Sequence, residues 1–209
     1  MKDFIKICGL ANRQDVEETL ALAPDALGFI FYAKSPRAVT PEQVGEWTRD
    51  LVPPTMKKVG VFVDATVEEM HRAAGIAGLD ILQLHGRENA ETVSALELPV
   101  WKVLHLDRLP EGWEQLPVEA LLIDSGTVEM PGGTGVSVNT GAAAEFICKS
   151  NLPVVLAGGL KAGTVGEVIR EVRPCGVDVS SGVELAPGRK DMPSVAEFIR
   201  NAREAFSTL

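Results

Sequence analysis

Phe4-Ile5-Lys6-Ile7-Cys8-Gly9 is the stretch from which this chain is best read. It is a short apolar run that carries a lysine and a thiol, and its length suits a strand rather than a helix. Side chains alternate faces along a strand, so Ile5 and Ile7 point one way while Phe4, Lys6 and Cys8 point the other. A strand apolar on one side and reactive on the other, closed by a glycine, suggests a barrel strand facing a site. Taken alone, Cys8 also fits a small buried hydrophobe at a strand end. Lys6 favours chemistry, because a buried ammonium needs a carboxylate partner that the rest of the chain must supply.

Seven more apolar runs follow, giving strands over Phe4 to Cys8, Ala26 to Phe31, Lys58 to Val63, Ile81 to His85, Val100 to Leu104, Ala120 to Asp124, Val154 to Ala157 and Val177 to Ser180. Helical patterns fill the gaps: Arg13 to Ala23, Pro41 to Leu51, Val67 to Ala74, Asn89 to Leu96, Gly141 to Ser150, Ala162 to Val172 and Ser194 to Phe206. The fifth gap, Asp107 to Leu116, contains Leu109-Pro110-Glu111-Gly112 and carries the weakest helical signal. Pro41 after Thr40 suits a first helical position, and Pro99 and Pro153 stand just before strands, where a missing N–H costs little. Eight β/α units with Val-, Ile- and Leu-rich strands imply an α/β fold, a closed parallel (β/α)8 TIM barrel with outer helices, as one domain over 1–209. An open doubly wound sheet would want a Gly-x-Gly-x-x-Gly turn after the first strand, and the sequence has none.

The 209 residues are 45% hydrophobic, enough for one sizeable core. No run approaches the roughly 20 apolar residues of a membrane span, and Met1-Lys2-Asp3-Phe4 leads directly into a strand rather than a signal peptide. A cytoplasmic protein without membrane contact is expected. Cys8, Cys148 and Cys175 have neither metal-ligand spacing nor disulfide density, which fits a reducing compartment. The net charge of −9 disfavours a nucleic-acid surface but leaves room for a small anionic ligand held by local groups.

Barrel strands turn polar on their inner face near the C-terminal mouth, where ligands bind. Gln83 and His85 share the face opposite Leu82 and Leu84, Asp124 ends its strand opposite Ile123, and Asp178 and Ser180 oppose Val177 and Val179. Asp124 and Asp178 can each be read as a buried partner for Lys6 or as a turn cap. Their joint placement with Cys8 at one mouth favours a site. His85 alone reads as a wall histidine, while His71 and His105 read as structural or exposed, and no His, Asp and Glu set has metal-ligand spacing. Glycine turns follow the last two strands, Ala157-Gly158-Gly159-Leu160 and Ser180-Ser181-Gly182, the loops whose amides often hold a phosphate in such barrels. A third, Pro131-Gly132-Gly133-Thr134-Gly135, closes a long loop after the sixth strand, and loops that long tend to be functional.

At this level of detail the chain resembles the phosphoribosylanthranilate isomerase family of tryptophan biosynthesis. The resemblance is carried by Lys6-Ile7-Cys8-Gly9, Gly28-Phe29-Ile30-Phe31 with Ser35-Pro36-Arg37, Val59-Gly60-Val61-Phe62, Gln83-Leu84-His85-Gly86, Leu122-Ile123-Asp124-Ser125 and Gly132-Gly133-Thr134-Gly135. It continues through Gly158-Gly159-Leu160, Val177-Asp178-Val179-Ser180-Ser181-Gly182-Val183-Glu184 and Pro187-Gly188-Arg189-Lys190-Asp191, in order along nearly the whole chain. It implies a cofactor-free, metal-free Amadori rearrangement of N-(5-phosphoribosyl)anthranilate, with Cys8 as general base and Asp124 as general acid. It also implies Arg37 at the anthranilate end and Lys6, Gln83, His85 and Asp178 in substrate binding. Gly135, Gly158, Gly159, Ser181 and Gly182 would hold the phosphate. The partner is then a phosphorylated small molecule, and a monomer is expected rather than a dimer. Such chemistry asks for a Cys8 pKa lowered by Lys6 or another cation and an Asp124 pKa raised by burial or by Asp178.

The pattern departs at one place. Where the family usually shows Phe-Asp-Trp after Gly-Gly-Thr-Gly, this chain reads Val136-Ser137-Val138-Asn139-Thr140. Asn139 can still cap the following helix, so a tuning effect is expected. Two other readings compete with the isomerase. An epimerase-like phosphosugar barrel would want metal-binding histidines at several strand ends, and only His85 stands there. A non-catalytic barrel that binds a phosphorylated metabolite would fit the altered loop.

Overall fold

Residues 2–124 and 139–209 are described by the computed structural model. Eight parallel strands close in sequence order: β1 Phe4–Ile7, β2 Ala26–Ile30, β3 Lys57–Phe62, β4 Ile81–Leu84, β5 Val100–Leu104, β6 Ala120–Ile123, β7 Val154–Leu156 and β8 Gly176–Val179. Helices α1 Arg13–Ala21, α2 Pro41–Thr48, α3 Val67–Ala77, α4 Ala90–Ser94, α5 Thr140–Lys149, α6 Val165–Val172 and α7 Met192–Ser207 form the outer ring. The elements stand close to where the apolar periods put them. A short antiparallel hairpin, β9 Glu184–Ala186 and β10 Arg189–Lys190, follows β8 at the C-terminal mouth; no strand was expected there. In the fifth gap the weak helical signal yields only a 3₁₀ turn, Trp113–Gln115. Pro110 and Pro117 bracket it, and Gly112 takes φ +73° at its start, so an α-helix has no room to propagate.

Local chemistry sets the helix starts. Thr40 and Thr66 each form a capping box, with Gln43 and Glu69 respectively, and Pro41 occupies the first turn after Thr40. Asn139 accepts from the Ala142 amide at 3.1 Å and so caps α5, as its side chain allows.

Alternation along the strands builds two cores. Ile5, Ile7, Leu27, Leu82, Leu84 and Val177 face outward and pack against the helices. Ala26, Val59, Ile81, Trp101, Ala120, Leu122 and Val155 fill the barrel, with Phe4 against them. Trp101 closes the barrel's base, its ring edge-on to Phe4 at 5.4 Å between centroids. Beside Phe4, a Cβ on Gly176 would sit 2.6 Å from the Phe4 carbonyl oxygen, so that position has no room for a side chain. One outward position breaks the apolar rule: Lys102 is buried, and its Nζ donates to Glu88 Oε2 and the Gly86 carbonyl, both at 2.6 Å. Glu88 also accepts from the Asp64 and Gly86 amides, so this ion pair fastens the loop after β4 with its polar groups satisfied.

Candidate active site

Closure of β1 onto β8 places Lys6 opposite Asp178, and the lysine Nζ donates to both carboxylate oxygens at 3.0 Å. Lys6 is wholly buried and Asp178 nearly so. Burial alone would lower the lysine's pKa, but the attraction of Asp178, then of Cys8, outweighs it and leaves it raised. Burial pushes Asp178 up against the pull of Lys6, with Asp124 adding to the rise. The two partners thus answer burial differently; the double hydrogen bond decides for the ionised pair, since the charged forms are what it binds. Lys6 lies beneath the cavity rather than in its lining.

Cys8 sits one step above Lys6 on the same face, and both side chains lie over Gly28 of β2. A Cβ there would meet Cys8 Sγ at 2.7 Å, Cys8 Cα at 2.9 Å and Lys6 Cε at 2.9 Å. The absent Cβ is what lets the thiol and the ammonium share this wall. A base role asks for a lowered thiol pKa, and Lys6 does act in that direction. Burial raises it, and the Lys6 charge, already spent on Asp178, does not overcome that.

Three strands away around the barrel, Asp124 ends β6 with its Oδ2 3.7 Å from His85 Nε2. His85 is pushed down to about 4, by burial first; the opposing attraction of Asp124 is smaller, and His105, its ring centroid 5.8 Å away, adds to the fall. The imidazole is therefore neutral at physiological pH. Gln83 Oε1, His85 Nε2 and Ser180 Oγ are buried polar atoms with no hydrogen-bond partner among the described residues, and all three residues line one cavity. Buried polar groups normally find partners, so three orphans converging on one space mark where a polar ligand belongs.

That cavity opens at the C-terminal mouth and encloses about 780 Å³ of empty space, open mouth included. Cys8, Arg37, Gln83, His85, Asp124 and Asp178 line it, as do Gly158, Gly159, Ser181 and Gly182. Gly135 lies outside the described residues. Gly158 and Gly159 take φ +76° and +64°, the left-handed region open to glycine at little cost. Gly182 packs so closely on the Leu160 carbonyl oxygen that no side chain fits. No hydrogen bond among the described residues uses the N–H groups of Gly159, Ser181 or Gly182. Unused amides on two adjoining loops face the same cavity, the kind of backbone concavity that suits an anion.

Tyr32, Ser35 and Ser180 also line the cavity, though none was singled out as a ligand contact from the sequence. Glu184 and Lys190 were missed as well, quoted only as part of matching stretches. Arg37 Nε donates to Glu184 Oε1 at 2.9 Å and Nη2 to Oε2 at 2.7 Å, and Lys190 Nζ donates to Oε1 at 2.9 Å. A Glu and a Lys flanking the Pro187-Gly188 turn of a hairpin are the only hint the sequence offers. Among the described residues, no group of three or more His, Cys, Asp or Glu is placed to hold a metal ion, and no helix is long and apolar enough to cross a membrane.

His85 gives a pH prediction. Its folded pKa of about 4 lies below the ordinary 6.5, so as pH falls the unfolded chain binds the proton first. Stability is then lost between those two values, by on the order of 3 kcal/mol in all. The urea unfolding midpoint of wild type should fall relative to that of H85Q as pH drops through that window. Parallel curves would show that His85 is not the group responsible.

A closed eight-stranded barrel whose mouth gathers a thiol, two carboxylates and a neutral imidazole defines the class: a (β/α)8 enzyme with acid–base groups around one cavity. Residues 5–201 match the family model of N-(5'phosphoribosyl)anthranilate (PRA) isomerase, and the chain belongs to that family. It is 42% identical over 205 residues to the N-(5'-phosphoribosyl)anthranilate isomerase of Pelobacter propionicus, covering 97% of each chain. Among solved structures it is similar to the Thermus thermophilus phosphoribosyl anthranilate isomerase, at 32% identity and TM-score 0.85 over 95% of this chain and 97% of that one. A phosphoribosyl anthranilate isomerase solved with reduced 1-(o-carboxyphenylamino)-1-deoxyribulose 5-phosphate is 30% identical, with TM-score 0.81, over 98% of this chain and 100% of that one.

Proposed function

We propose that this protein is a cytoplasmic, monomeric isomerase that converts N-(5-phospho-β-D-ribosyl)anthranilate to 1-(2-carboxyphenylamino)-1-deoxy-D-ribulose 5-phosphate, the third step of tryptophan synthesis from chorismate. The convergence of Cys8 and Asp124 on one cavity, from walls three strands apart, is the observation that carries the reading. The reaction needs one acid and one base flanking the sugar. Asp124 gives a proton to the ring oxygen as the C1′–O bond breaks, leaving an iminium between C1′ and the anilino nitrogen. The Cys8 thiolate takes the C2′ proton, the freed pair becomes the C1′=C2′ bond and the iminium electrons return to nitrogen. The enolamine then tautomerises to the ketone, with a proton returning at C1′.

Substrate binding divides the cavity. The amides of Gly158, Gly159, Ser181 and Gly182 take the phosphate. Asp178, held by Lys6, and the orphaned polar atoms of Gln83 and His85 receive the sugar hydroxyls. Arg37 meets the anthranilate carboxylate, a planar anion suited to a guanidinium fork. Support for the compartment comes from three free cysteines, one of them exposed.

The test follows loss of anthranilate-ring fluorescence as freshly generated phosphoribosylanthranilate is consumed, with chelator present. Turnover at undiminished rate is expected. No turnover, with a phosphate-bearing product analogue still bound, would leave a binding barrel in its place. A sedimentation mass twice that of the 22.3 kDa chain would overturn the monomer.

A further inference from the structure

Arg37 and Glu184 are 147 residues apart in sequence, yet they meet in a side-on pair. Arg37 Nε donates to Glu184 Oε1 at 2.9 Å and Oε2 at 3.1 Å, and Nη2 donates to Oε2 at 2.7 Å. A guanidinium has five N–H donors, and this pairing uses Nε–H and one hydrogen of Nη2. Nη1, bonded to no acceptor among the described residues, and the remaining Nη2 hydrogen form the other edge, ready for a second planar acceptor. The arginine stem is confined too: it crosses Gly9, where a Cβ would stand 2.7 Å from Arg37 Cδ.

Glu184 is itself held from behind. Its side chain is 3% exposed, and its Oε1 accepts Lys190 Nζ at 2.9 Å. Lys190 Nζ also donates to the Ser180 carbonyl at 3.1 Å, and the Lys190 amide donates to Asp15 Oδ2 of α1 at 2.7 Å. Burial would raise the Glu184 carboxyl, but Arg37 and Lys190 outweigh it and hold it below the ordinary range. The β9–β10 hairpin is thus bolted to β8 and α1, and its one inward carboxylate points at the guanidinium.

We propose that Glu184 is a positioning residue that sets which edge of Arg37 faces the cavity, and thereby gives the site its preference for a substrate bearing an aromatic carboxylate. This rests on the isomerase reading above. Without the anchor a guanidinium on a flexible stem would sample several poses, and each bond to the substrate would carry that ordering cost. The carboxylate lies away from the carbons that react, so the loss falls on binding rather than on the chemical step.

E184Q, R37A and the double variant are compared for turnover of phosphoribosylanthranilate and for inhibition by inorganic phosphate. E184Q should raise KM roughly tenfold, the worth of one charge-assisted hydrogen bond, with kcat within about threefold of wild type. Inhibition by phosphate should be unchanged, because the Glu184 carboxylate bonds to Arg37 and Lys190 and to none of the Gly159, Ser181 or Gly182 amides among the described residues, although it follows Gly182 by only two residues. The double variant should be no worse than R37A alone, since a residue acting through Arg37 has nothing left to position. E184D should recover only part of the loss. An unchanged KM in E184Q, additive losses in the double variant, or weakened phosphate inhibition would overturn the proposal. Should E184Q fail to fold because Lys190 is left buried without its carboxylate, the same cycle is run in K190M, and the same outcomes decide. Absence of turnover in wild type would instead defeat the isomerase reading, so the two failures are distinct.

Discussion

Cys8→Ala and Asp124→Asn, made separately, should each lower kcat by about 10²- to 10⁴-fold, the usual worth of a positioned base or acid. Neither change removes a contact to the phosphate loops, so binding of a phosphate-bearing product analogue should persist. The two losses should not multiply in the double variant, because each group serves one proton path and the path fails once either is gone. The same assay carries a pH signature. Burial holds the Cys8 thiol above its ordinary pKa despite Lys6. A base acts in its deprotonated form, so below that raised pKa the active fraction grows with pH. In Asp124→Asn, which has no acid titrating beside the thiol, log(kcat/KM) of the residual activity should therefore climb with a slope near one through the neutral range. Full activity in either single variant would remove that residue from the reaction. A plateau below pH 7 would show the thiolate to be far more accessible than its burial allows.

Gly28→Ala should be nearly as damaging without touching a reacting group. The new methyl would stand 2.7 Å from Cys8 Sγ and 2.9 Å from the Cys8 Cα, a contact with backbone that no rotamer change relieves. Overpacking of this kind costs typically 1–3 kcal/mol of stability. The wall must move to relieve it, and a displacement of roughly 1 Å at a catalytic group costs on the order of 10²-fold in rate. Gly75→Ala is the contrasting case. Gly75 lies exposed within α3, and an added Cβ there meets nothing within 4 Å. It should raise stability by about 0.5–1 kcal/mol and leave turnover alone. Thermal unfolding and turnover of the two variants, measured together, check the argument. An active, undisturbed Gly28→Ala would mean that β1 and β2 are not as tightly apposed as they stand here.

The architecture was legible because its signal is local. Period-two alternation in strands and 3.6-residue spacing in helices are properties of the backbone, and eight such units leave little but a closed barrel. The same alternation put Cys8, Gln83, His85, Asp124 and Asp178 on inward faces, and all five line one cavity. Turn chemistry was equally local, as at Thr40-Pro41 and Asn139. The 3₁₀ turn in the fifth gap followed the same logic, with prolines and a positive-φ glycine defeating a weak helical period.

Tertiary structure decided the electrostatics. Whether Lys6 would meet Asp124 or Asp178 was open, because both carboxylates end inward-facing strands. Register between β1 and β8 chose Asp178, 172 residues away. That choice leaves Asp124 beside His85 and divides the Lys6 charge before it reaches the thiol, so burial prevails at Cys8. Glu184 and Lys190 carry no periodic signal at all. Their place at Arg37 follows from a hairpin folding back over the mouth, and desolvation gives their charges weight there. Backbone geometry is written residue by residue, whereas the partner of a charge and the water it loses depend on which distant segments the closed barrel brings together.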